Sequence, residues 1–136
     1  MDVLIRPFTE TDTARLVAIL QCNEQYHYPE IEGPAAMQRV AACEAAVFLV
    51  AEVAGQPQGF IRAVYDGSRA LIHLLSVHPD CQHEGLGRAL VEAVSAELQR
   101  RGAPSVSVTV TERSAQFWEK QGFIPVPVSL MLKVFG

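Results

Sequence analysis

The chain has 136 residues, 49% of them hydrophobic and 19% charged, with a formal net charge of −4. That is one domain's worth of sequence, apolar enough to bury a core and too apolar for a disordered segment. The negative balance argues against nucleic acid or an anionic membrane as partner, and three scattered cysteines without a CxxC pair argue against a disulfide framework or a zinc site.

The predicted elements run as a mixed α/β pattern over a single domain, 1–136. "VLIRPF" is a short apolar strand, and Thr11 or Asp12 caps a helix that places Leu16, Val17, Ile19 and Leu20 at helical spacing. "CNEQYHYPEIEGP" reads as a polar loop and "AAMQRVAACEAA" as a weaker helix. "VFLVAEV" and "GFIRAVYD" form a hairpin around a "GQPQ" turn, and "ALIHLLSVHP" is the longest apolar strand. The clearest helix, Leu86 to Leu98, aligns Leu86, Ala89, Leu90, Ala93, Val94 and Leu98 on one face, and Gly102 stops it. "SVSVTV" alternates as a half-buried strand, "ERSAQFWEKQ" is a short helix, and "FIPVPVSLMLKVF" is expected to give two strands around a proline-rich break. "MDVLIRPF" has no long apolar run and no stretch reaches membrane-spanning length, so a cytoplasmic location is expected.

"HPDCQHEGLGRAL" sets two glycines between the longest strand and the clearest helix. Such a turn leaves backbone N–H groups free at a helix start, where the helix dipole also favours an anion. Two familiar phosphate motifs fail: Gly87 is followed by Arg88 and Ala89 rather than Lys-Ser/Thr, and Leu90 stands where a dinucleotide fingerprint needs a small residue.

What remains is Gln-x-x-Gly-x-Gly, as Gln82, Gly85 and Gly87, behind "SVHP". Here the sequence resembles the GNAT superfamily of N-acetyltransferases. "IRPFTETDTARLVAIL" is similar to the family's opening strand and helix, "SAQFWEKQGF" to its late helix, and "MLKVF" to its closing strand. The resemblance implies a mixed, mostly antiparallel sheet with splayed central strands and helices on both faces. It implies acetyl-CoA as co-substrate, no metal, and direct transfer of acetyl to an amine.

The same resemblance assigns roles. The loop amides of His83, Glu84, Gly85, Leu86, Gly87 and Arg88 would bind the pyrophosphate, with the Arg88 guanidinium adding a contact. The strand end Leu75, Ser76 and Val77 would bond the pantetheine arm, and an N–H of Ser76 or Val77 would face the thioester oxygen. Thr111 stands where the family often has a cofactor-bonding asparagine, with Ser114 close behind in the same segment. Trp118 replaces the tyrosine that often protonates the departing thiolate, and an indole does not give up its proton.

His73 is the candidate general base, alternation placing it with Leu75 on one strand face and Ile72 with Leu74 on the other. Tyr26 and Tyr28 are candidate replacement acids. Cys81 reads as an incidental thiol, because nothing in the sequence supplies it with a base. Glu24, Glu30 and Glu32, set among the tyrosines with no lysine or arginine from Leu16 to Gln38, suggest a pocket for a small-molecule or peptide amine carrying extra positive charge. The alternative on the same fold is an acyl-CoA-sensing module with weak or no catalysis. The apolar tail is compatible with a homodimer.

Overall fold

The computed structural model describes residues 2–136. Strand β1 (Val3–Pro7) is followed by α1 (Thr13–Cys22), α2 (Pro29–Glu32) and α3 (Pro34–Ala41). Then come β2 (Ala46–Val53), β3 (Gln56–Tyr65), β4 (Ala70–Val77), α4 (Leu86–Arg100), β5 (Ser107–Val108) and α5 (Ala115–Lys120). The strands form one sheet in chain order, antiparallel from β1 to β4 and parallel between β4 and β5.

Strand alternation gives the sheet two different faces. Val47, Ala51, Ile61, Ala63 and Ile72 pack against Leu86, Leu90, Val91, Val94 and Leu98 of α4; of the predicted stripe Ala89 and Ala93 are only half-buried, and Val91, outside it, joins the core. On the other side Phe48, Val50 and Phe60 meet Leu16, Ile19 and Leu20 of α1 and Met37 of α3. Asp12, at the start of α1, is buried and accepts both Nη atoms of Arg6 at 2.8 Å, which fastens the helix to β1.

Four expectations need correction. The hairpin turn lies at Ala54–Gly55, not at residues 55–58: both residues have positive φ (51° and 80°), as a two-residue hairpin turn requires. The polar loop contains α2, a single turn whose first helical residue is Pro29, a position where the missing N–H costs nothing. The strand predicted over 105–110 pairs with β4 only at Ser107 and Val108.

The largest difference is the tail, where no strand forms after α5. Pro125 and Pro127 have no N–H to give a ladder. Ile124, Val126, Val128, Leu130, Leu132 and Val134 alternate as a strand would, yet all are exposed, Ile124 at 80% and Leu130 at 78%. The period of a strand is therefore present without a partner strand.

Candidate active site

The end of β4 is open on one side. Its pairing with β5 involves only Leu71 and Ile72, while its pairing with β3 continues to Val77. His78 donates to Gln58 O at 2.7 Å, so alternation turns Ser76 and Leu74 toward β3 and turns the backbone groups of Leu75 and Val77 into the gap. Of the two expected oxyanion donors, Val77 fits this geometry and the N–H of Ser76 does not; Leu75 joins Val77.

Side chains from the end of α1 steady this segment. Asn23 Nδ2 donates to Val77 O and to Ser76 Oγ, both at 2.8 Å; Gln25 Nε2 donates to Leu75 O at 3.3 Å, and Ser76 Oγ donates to Gln25 Oε1 at 2.5 Å. Gln82 Nε2 also donates to Val77 O, at 3.0 Å, so the first residue of the loop motif ties the loop to the strand end.

The loop then enters α4 through His83 (φ 66°) and Gly85 (φ 87°), a left-handed conformation that glycine adopts without strain. Gly85 is the N-cap, no side chain caps the helix, and no acidic residue stands in its first turn. Ala89 N is the first to bond back, to Gly85 O at 3.0 Å, so the N–H groups of Leu86, Gly87 and Arg88 lack helical partners. Gly87 serves packing: a Cβ there would lie 3.1 Å from the Phe117 ring of α5. The Arg88 side chain runs along the helix to Glu92 at 2.8 Å. Cys81 lies beside the loop, and burial with Glu84 and Asp80 nearby pushes its thiol up, which agrees with an inert thiol.

Across the gap, β4 carries a bulge. Arg62 pairs with Leu74 but Ala63 pairs with Ile72, leaving His73 as the extra residue. The bulge corrects the predicted faces, because Ile72 packs on the α4 side and Leu74 on the α1 side. His73 is open to solvent, yet desolvation and the nearby Arg62 hold its imidazole below the ordinary value. Arg62 itself is 6% exposed, lies over the Phe48 ring at 5.8 Å, and donates from Nη1 to Glu32 Oε2 at 3.2 Å. Glu32 is thus engaged, whereas Glu24, Glu30 and Tyr28 are exposed on the surface and Tyr26 packs partly against the Phe60 side of the sheet.

Residues 13–130 match the family model described as "Acetyltransferase (GNAT) domain". This chain belongs to the GNAT acetyltransferase family. It is similar to "Acetyltransferase SG1711" of Sodalis glossinidius (strain morsitans), at 32% identity over 109 residues, 78% of this chain and 74% of that protein. A solved transcriptional regulator from Bacillus halodurans C-125 shares the fold at TM-score 0.83 and 21% identity, covering 98% of this chain and all of that one. The PaiA N-acetyltransferase of Thermoplasma acidophilum, solved with coenzyme A, does so at TM-score 0.82 and 17% identity, covering 95% and 94%.

The residues present fit the coenzyme A thioester of a GNAT domain: an uncapped helix start beside a strand end with outward backbone groups suits a pyrophosphate followed by an amide-bearing arm. The late segment also has structural roles of its own. Thr111 and Ser114 bond to each other, Thr111 Oγ1 to Ser114 Oγ at 3.1 Å, and cap the turn before α5. Trp118 is 5% exposed, with its ring edge-on to Phe117 (5.0 Å) and Phe123 (5.2 Å). Thr111 and Ser114 thus cap the turn, and Trp118 packs in the core.

Sequence reading missed Arg62, Asn23 and Gln25. Arg62 did leave a signal, as a lone charge inside the apolar run "GFIRAV". The two amides left none, because ordinary loop residues acquire a role only when the chain folds back over β4.

Proposed function

We propose that the chain is an acetyl-CoA-dependent N-acetyltransferase that moves acetyl directly to the primary amine of a small molecule or peptide. The observation that carries this is the uncapped start of α4 beside the outward N–H groups of Leu75 and Val77. Acetyl-CoA, when bound, supplies the acyl group as a thioester. The α4 amides hold the pyrophosphate, and the N–H of Val77 or Leu75 stabilises charge on the thioester oxygen. No protein nucleophile is needed, since binding brings both reactants together.

His73 serves as general base. An imidazole held below its ordinary value is neutral at pH 7 and takes a proton from the acceptor's ammonium, directly or through water, leaving the free amine that attacks. Trp118 leaves its position without a proton donor, so the thiolate leaves unaided or with help from Tyr26 or Tyr28. That absence favours, as second reading, an acyl-CoA-binding module with weak catalysis.

Calorimetry with acetyl-CoA, followed by thiol release with a panel of amines, separates the two. Binding with release supports the transferase, and binding without release under any amine supports the module. The alternating, exposed tail supports a homodimer joined through it, and light scattering that returned the mass of one chain would refute that.

A further inference from the structure

Among the described residues, Arg62 is the buried charged residue of the sheet, and its surroundings under-use it. Only 6% of it is exposed, which removes most of its water. A guanidinium has five N–H donors in a rigid fork. Its recorded hydrogen bond among the described residues is a single prong at 3.2 Å to Glu32, not a parallel pair. Its Nε is the buried side-chain nitrogen or oxygen left without any partner among those residues. Phe48 below offers the face of a ring but no acceptor.

The balance of charge points the same way. Burial pulls Arg62 down more than Glu32 restores it, and burial pushes Glu32 up more than Arg62 lowers it. Neither ion fully compensates the other, an expensive arrangement for a structural pair, which apolar residues at both positions would replace at little cost. Arg62 also sits directly across from Leu74, one residue from the His73 bulge and one from Leu75, where the backbone turns into the gap. A buried donor fork with unspent bonds, next to the place where an amine must arrive, suits an anionic group a few bonds from that amine.

We propose that Arg62 reads an anionic group, a carboxylate or a phosphate, on the acceptor amine, with Glu32 as the neighbour that holds the fork in place. This rests on the transferase reading and narrows it. The acceptor is then an amino acid-like or amino phosphate-like molecule rather than a polycation. On this reading the exposed Glu24 and Glu30 are not needed for recognition of the anionic group.

The test uses matched acceptors with the full chain at saturating acetyl-CoA. Serine against ethanolamine and lysine against cadaverine probe the carboxylate, glucosamine 6-phosphate against glucosamine probes the phosphate, and spermidine represents polycations. The anionic member of at least one pair is expected to be better by about ten- to a hundred-fold in kcat/KM, the worth of a charged hydrogen bond. Arg62→Met is expected to erase that preference through KM while leaving acetyl-CoA affinity unchanged, and Arg62→Lys to restore part of it. Equal or better use of the uncharged partners and spermidine, or a preference that survives Arg62→Met, overturns the proposal and leaves the transferase standing.

A second readout is independent of turnover and of how well the Met variant folds. The Nε–H resonance of Arg62, recorded on the acetyl-CoA complex, is followed as acetate and then inorganic phosphate are added. A saturable shift with either anion, absent with chloride at equal ionic strength, supports the site even where no amine releases thiol, an outcome that would sink the transferase reading alone. A resonance that ignores both anions overturns the site.

Discussion

The two faces of the sheet solve different problems. The α4 face is apolar throughout, from Val47 and Ile61 on the strands to Leu90 and Leu98 on the helix, and its contribution to the site is backbone held in place by that packing. The α1 face begins as an equally apolar cluster around Phe60, but toward the open end of β4 it is interrupted by Arg62, Ser76, Asn23 and Gln25. On the proposed reading, one face binds through shape and main-chain groups. The other carries polar side chains whose partners come from distant parts of the chain, such as Asn23 and Val77, and on the proposed reading these discriminate between acceptors.

The strongest way to stress this contrast is to damage the α4 face. Leu90 is fully buried, and Leu90→Ala is expected to cost about 2–5 kcal/mol in denaturant unfolding, the range for a cavity in a rigid core. Acetyl-CoA affinity should fall with it, because the same helix presents the loop amides. Loss of stability with unchanged acetyl-CoA affinity would show that the helix start is held by something other than its buried stripe.

The α1 face should differ in its response to pH. Burial opposes ionisation of Asp12, but the Arg6 guanidinium and the Thr9 backbone outweigh it and hold the carboxyl below its ordinary value. A carboxyl lowered on folding gives stability that is complete above the unfolded value of about 3.8 and disappears as pH falls through the folded one. The expected outcome is that amides of α1 lose exchange protection on acidification before those of α4, after correction for intrinsic rates. Asp12→Asn should remove the difference and cost about 1–3 kcal/mol at pH 7, since it leaves Arg6 with half of its fork unmatched. Simultaneous loss of protection on both faces would contradict a separate role for the ion pair.

The same contrast decides what could be read from the sequence. The α4 face was legible because helical spacing in "LGRALVEAVSAEL" and a glycine turn are local patterns, and local patterns survive without coordinates. The start of β4 was legible for the same reason, but the His73 bulge was not. A single extra residue changes every later face assignment and leaves no mark in an apolar run. The tail misled because its alternation is real, whereas a strand also needs a neighbour, which composition does not report. The acceptor side was half legible: Glu32 and His73 stood out as chemistry, but that Glu32 is engaged by Arg62 follows only from the fold, which brings the end of α2 to Arg62 on β3.

The mildest substitution tests where the late segment belongs. Thr111 was expected to offer its hydroxyl to the cofactor, yet in the structure that hydroxyl donates to Ser114, and the backbone N–H of Thr111 donates to the same Oγ at 3.1 Å. A residue committed to a cap loses a cap when truncated, so Thr111→Ala is expected to cost about 0.5–1 kcal/mol in stability and to leave the KM for acetyl-CoA unchanged. A hydroxyl that switched to the cofactor on binding would give the reverse, a raised KM with little change in the unfolding midpoint. The small size of the effect is what makes it discriminating, because neither a core cavity nor a broken ion pair obscures which of the two quantities moves.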